Sequence, residues 1–162
     1  MVTGDNGKPL LDSSELRFNA SRSAGIALYA TSWTIQLGVD IEAIRATVDV
    51  EGIATRFFST NEQRALQSLP AAQRLTATFQ CWTRKEAYVK GIGTGLTIPI
   101  NTIEVGVDSD RQATVSDWTV HQVNVAAGFA AAVAGERYGG PVPDVQRINA
   151  SDGDSSPAII GP

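Results

Sequence analysis

Along this chain the period of hydrophobic positions changes twice. Residues 16–20 ("LRFNA") and 25–33 ("GIALYATSW") are rich in β-formers and read as strands, separated by "SRSA", a turn-like segment of small polar residues. A third strand, "IQLGVDIE", follows closely, so the three predict an antiparallel meander. The pattern then turns helical. Val50, Ile53, Ala54, Phe57 and Phe58 fall on one helix face, and Ser59 with Glu62 three residues on forms a capping-box signature for a second helix that Pro70 ends. Residues 71–91 predict the longest helix, with Leu75, Phe79, Trp82 and Val89 on its apolar face and Gly91 as its stop. After the turn-rich "GIGTGLTIPI", strand-like runs return at about 101–107, 113–125 and 127–134. Sheet, helices and sheet again give an α+β class, an antiparallel sheet with packed helices. One domain is expected over residues 1–138. The remainder, 139–162, is rich in Gly, Pro, Ser and Asp and reads as a disordered tail.

Composition narrows the function. A chain of 162 residues with net charge −4 has no broad basic surface for nucleic acid, so an anionic partner must be met by a local cluster of cations. No apolar run reaches the ~18–20 residues of a membrane span, and the start has no signal-peptide pattern, so a cytoplasmic setting is expected. The lone Cys81 has no partner for an intrachain disulfide. The only lysines are Lys8, Lys85 and Lys90, two of them within six residues of each other.

The stretch "GVDIE" carries two carboxylates in an apolar strand. Alternation points Asp40 and Glu42 to one face while Val39 and Ile41 take the other. Two parallel carboxylates repel unless they are solvated or share a cation. In the long helix Trp82, Glu86 and Lys90 form one stripe, which a simple helix ion pair between Glu86 and Lys90 would also explain. If that helix crosses the strand, Glu86 joins Asp40 and Glu42. Magnesium is the natural occupant of such a carboxylate set, and lysine beside it points to phosphate chemistry. Zinc lacks its ligands here, because Cys81 and His121 are each the only one of their kind. The glycines of "GIGTGL" follow a helix instead of preceding one, the wrong geometry for a phosphate loop. Trp33 and Trp118 read as core aromatics, Cys81 as a buried thiol and His121 as structural.

"GKP", "FNASRS", "GVDIE", "RFFSTNE" and "WTRKEAYVKGIGTGL", in that order over residues 7–108, resemble the surfactin-type 4′-phosphopantetheinyl transferases. The resemblance implies transfer of the phosphopantetheine arm of coenzyme A to a serine of an acyl or peptidyl carrier protein, with adenosine 3′,5′-bisphosphate released. It makes Asp40, Glu42 and Glu86 ligands of magnesium or manganese. Lys90 becomes a phosphate contact, and Glu86 a group that helps deprotonate the carrier serine. Lys8, Pro9 and Ser21 inherit coenzyme A binding. Arg22 stands where the family usually has histidine; arginine keeps a phosphate-binding cation but cannot titrate near neutral pH. The family fold is a pseudo-dimer of two α+β halves, and this chain resembles mainly the second half with end strands of the first. Either the chain is a fragment, or a second copy or another chain completes the cleft. The alternative is a catalytically incompetent fragment or subunit that binds magnesium, coenzyme A or a partner protein.

Overall fold

A computed structural model describes residues 2–3, 9–10, 16–93, 98–108 and 112–137. The expected tail at 139–162 and Lys8 lie outside the described residues. Strands β1 (Val2–Thr3) and β2 (Pro9–Leu10) pair antiparallel. Strands β3 (Arg17–Ser23) and β4 (Ile26–Ser32) form a hairpin closed by Ala24 and Gly25, whose φ values of 44° and 84° match the left-handed turns that suit strand twist. The strand thus runs three residues beyond the expected end at Ala20, and "SRS" is strand, not turn. The expected meander is also corrected. Strand β5 (Leu37–Ala43) leaves the hairpin and pairs with β8 (Phe129–Glu136) in a four-stranded antiparallel sheet of order β5-β8-β7-β6.

Each helix begins at an identifiable cap, and one of the three is the cap expected from the sequence. Asp49 accepts from the Gly52 amide at 3.0 Å to start α1 (Val50–Phe57). Ser59 and Glu62 close the expected capping box at the start of α2 (Thr60–Ser68). Pro70 then caps α3 (Ala71–Ile92), which ends at Gly93 with φ 71°. Gly91 is not the stop. It lies inside the helix, where a Cβ would sit 2.4 Å from the ring of Trp118. Residues 101–107 are not a strand: a single 3-10 turn (Ile100–Thr102) leads into irregular chain whose backbone groups are taken by side chains of Glu62, Arg84 and Lys85. The run at 113–125 is two strands, β6 (Ala113–Val115) and β7 (Trp118–Gln122), separated by a turn with Ser116 at φ 50°.

The sheet carries a core on each face. Helix α3 and its neighbours bury Phe58, Leu66, Val120, Trp118, Ala132 and Ala134 on one side. On the other side Leu37, Val39, Ile41, Ala131 and Val133 pack with Ala30 of the hairpin. Trp118 is core as expected, but Trp33 is 54% exposed, since it follows β4 where the chain leaves the hairpin. Cys81 is fully buried, and burial pushes its thiol well above the ordinary range, which leaves it unreactive.

Candidate active site between strand β5 and helix α3

Alternation along β5 sends Val39 and Ile41 into the hairpin-side core and turns Gly38, Asp40 and Glu42 toward α3. The helix can lie this close because Gly38 has no side chain. A Cβ on it would stand 2.2 Å from the Ala87 carbonyl oxygen and 2.3 Å from the Gly91 nitrogen. The glycine of "GVDIE" is thereby a packing requirement for the two acids that follow it. The cross-strand partners of Asp40 and Glu42 on β8 are Ala132 and Ala130, which keep that face low.

On this platform Lys90 Nζ donates to Asp40 Oδ1 at 2.6 Å and to Ser21 Oγ at 3.0 Å. Ser21 Oγ donates to the same Oδ1 at 2.9 Å, and Ser23 Oγ donates to Glu42 Oε2 at 3.0 Å. Asp40 is 5% exposed, Lys90 31%, and the second oxygen of Asp40, Oδ2, is buried with no hydrogen-bond partner. Trp82, Glu86 and Lys90 form the partly buried stripe expected of α3, with Trp82 edge-on to Phe57 at 4.8 Å. Burial, then the negative charge of Asp40, raises the Glu86 carboxyl above the ordinary carboxylate range; Lys90 opposes this and Glu42 adds to it. Glu86 therefore lies in the field of both strand acids. Among the described residues no three His, Cys, Asp or Glu side chains are already gathered into a metal cage. Lys90 joins Asp40 to Ser21, and no preformed chelate gathers Asp40, Glu42 and Glu86.

The remaining candidates divide. Ser21 belongs to the cluster, fully engaged by Asp40, Lys90 and the Ile41 amide. Arg22, one residue on, is exposed and lines a shallow hollow of about 380 Å3 at the hairpin turn, with Ser23, Gly25 and Ile26. Pro9 lies in β2 opposite Thr3. Lys85 does not join Lys90 in a phosphate-binding pair: it is fully buried and salt-bridged to Glu62 at 2.7 Å. Sequence reasoning passed over Asn19 and Ser23. Their signal was the polar alternation Asn19, Ser21, Ser23 inside a strand, which marks one face as hydrogen-bonding.

The family model for the 4′-phosphopantetheinyl transferase superfamily matches residues 36–134. The chain belongs to that superfamily. It is 37% identical over 140 residues to the 4′-phosphopantetheinyl transferase HetI of Nostoc sp., an alignment covering 82% of this chain and 59% of that protein. It is 38% identical over 109 residues to the 4′-phosphopantetheinyl transferase gsp of Aneurinibacillus migulanus, covering 67% and 44%. Among solved structures, the holo-acyl-carrier-protein synthase of Thermotoga maritima matches 64% of each chain at 19% identity with a TM-score of 0.45. The chain thus spans roughly half of the length of the curated transferases it matches. The superfamily match includes β5, all of α3 and most of β8, and so takes in the whole Asp40–Glu42–Glu86–Lys90 cluster.

Proposed function

We propose that the chain carries the metal-binding and phosphate-handling machinery of a 4′-phosphopantetheinyl transferase, acting on coenzyme A and a serine of an acyl or peptidyl carrier protein. The observation that carries this reading is the Asp40 carboxylate, with one oxygen on Lys90 and the other buried and unpartnered. A buried anionic oxygen left without a donor costs about 1–3 kcal/mol or more. A hard divalent cation is the partner that suits it, and the all-oxygen donor set of Asp40, Glu42 and Glu86 fits magnesium or manganese. When bound, such an ion supplies charge neutralisation for the pyrophosphate of coenzyme A.

The chain's own residues then divide the work. Lys90, about one-third exposed, turns from Asp40 Oδ1 to a phosphate oxygen and offsets the charge of the departing nucleotide. Glu86 takes the proton of the carrier serine, directly or through a water. The serine oxygen forms a bond to the pantetheine-side phosphorus as the bond from that phosphorus to adenosine 3′,5′-bisphosphate breaks, and the nucleotide leaves with the electron pair. Arg22, exposed beside the hairpin hollow, offers a fixed cation to a coenzyme A phosphate, and Lys8, Pro9 and Ser21 are assigned to the same ligand by motif. The same reading has the chain act in the cytoplasm; no described helix is long and apolar enough to cross a membrane.

A second reading follows from length. The chain spans 59% and 44% of the two transferases above, and the alternative is a catalytically incompetent fragment or subunit that binds magnesium, coenzyme A or a partner protein. One experiment separates the two. The purified chain is incubated with an apo carrier protein, coenzyme A and magnesium, and the carrier is weighed by mass spectrometry. A phosphopantetheine adduct that disappears with chelator supports the transferase. Coenzyme A binding without an adduct supports the subunit, and neither one removes both.

A further inference from the structure

Strand β5 is paired on one side only, by β8. Its other edge points the amides of Val39, Ile41 and Ala43 toward β3, yet no backbone carbonyl of β3 receives them. Side chains do: Val39 N donates to Asn19 Oδ1 at 2.9 Å, Ile41 N to Ser21 Oγ at 3.3 Å, and Ala43 N to Ser23 Oγ at 3.0 Å. Asn19, Ser21 and Ser23 stand two apart, on one face of β3, in register with alternate residues of β5. They form a comb in place of a neighbouring strand.

The teeth differ in a way that follows the acids. A serine hydroxyl that accepts from an amide still has its own proton to give. Ser21 accepts from Ile41 N and gives its proton to Asp40; Ser23 accepts from Ala43 N and gives its proton to Glu42. In each case the carboxylate belongs to the residue just before the amide. The third tooth meets Val39, whose predecessor is Gly38, with no carboxylate to orient. There the comb uses asparagine, whose carbonyl oxygen accepts without a hydroxyl proton to place. Edge covering alone would need only acceptors, yet the two hydroxyls also donate to the two acids.

Resting on the metal reading above, we propose that Ser23 is a positioning residue for Glu42, as Ser21 is for Asp40: each ties one carboxylate oxygen to the β5 backbone and so presents the other to a divalent cation. Outer groups that orient a ligand typically change metal affinity by about 10- to 100-fold when removed. The prediction is therefore about a hydroxyl, not about packing.

The test uses the full chain and manganese binding by calorimetry, with amide hydrogen exchange read at Ala43 and Val39. Ser23→Ala is expected to weaken manganese binding roughly tenfold and to speed exchange at Ala43. Ser23→Thr restores both, whereas Ser23→Val, of the same shape without the hydroxyl, restores neither. Asn19→Ala speeds exchange at Val39 and lowers the melting temperature while manganese affinity stays within about threefold of the parent. If the parent chain binds manganese and Ser23→Ala or Ser23→Val binds it as tightly, the positioning role is wrong while the metal site stands. Should the unaltered chain bind no manganese, the metal reading itself fails and the proposal goes with it.

Discussion

Helix α3 carries two lysine–carboxylate pairs five residues apart, and they are built on opposite plans. At Lys85 everything is satisfied. The ammonium has three protons and gives them to Glu62, Ile100 O and Ile103 O. Glu62 returns the favour with four acceptances, from Lys85, from the Ser59 amide at 2.9 Å, and from the Val105 and Gly106 amides at 2.8 and 3.1 Å. Both side chains are almost completely buried. At Lys90 the site is open at both ends: the ammonium is about one-third exposed, and half of the Asp40 carboxylate has no partner. A closed network holds one arrangement and has nothing left to bind. An unfilled one has capacity for a ligand, and motif residues alone do not distinguish the two.

The sharpest way to break this comparison is to damage the closed network. Lys85→Ala leaves Glu62 buried without its counter-charge and two carbonyls without a donor, and is expected to cost about 3–5 kcal/mol in denaturant unfolding. Replacing both partners by apolar residues, Glu62→Leu with Lys85→Met, does not rescue it. The amides of Ser59, Val105 and Gly106 then lose their acceptor, so this pair behaves as a strap for residues 98–106 and not as an isolated ion pair. Full rescue by the double variant would show that the strap is unimportant.

The next effect is at the contact that joins strand to helix. Gly38→Ala places a methyl against backbone atoms of α3 that cannot rotate away, and overpacking of this kind costs about 1–3 kcal/mol. Because the same contact sets how Asp40 meets Lys90, the transferase reading predicts that activity falls along with stability, which mass spectrometry and thermal melting record together. At the open pair the two readouts should part company. Asp40→Asn removes a charge whose second oxygen is buried without a donor, and Glu86→Ala removes a carboxyl that burial and Asp40 already disfavour in its charged form, so both cost less stability than Lys85→Ala; on the transferase reading both abolish phosphopantetheine transfer. Equal losses at Asp40 and at Lys85 would erase the distinction between the pairs.

Much of this was legible in the chain. The capping box, the long helix and the facing of Asp40 and Glu42 follow from local rules, namely side-chain hydrogen bonding at N3, a 3.6-residue period and strict alternation. What local rules miss is which strand sits beside which. Nothing near β5 says that its neighbour is β8, and chain proximity alone favours a meander. Residues 101–107 look like a strand because Ile103, Val105 and Val107 alternate, but their backbone is claimed by side chains from two helices. Gly91 looks like a helix stop because its packing role depends on Trp118, distant in sequence. Lys85 and Lys90 look like a pair of cations for one anion until the buried partner of the first is known.

The smallest predicted effect lies beside the closed network and concerns pH. His121 on β7 has its Nε2 buried without a hydrogen-bond partner, and burial, aided by the positive charge of Arg84, lowers its pKa below the ordinary 6.5. The unfolded chain therefore takes up its proton at a higher pH than the folded chain does. Stability from this residue is present above pH 6.5 and is lost as acid is added through the folded value. Melting temperature should fall as pH drops below 6.5, and His121→Gln should flatten that part of the profile while leaving the rest unchanged. A parent chain that gains stability relative to His121→Gln in acid would mean that the imidazolium finds an acceptor in the fold. Arg84 would then be too far away, or too well neutralised by the carbonyls of Val105 and Gly106, to repel it.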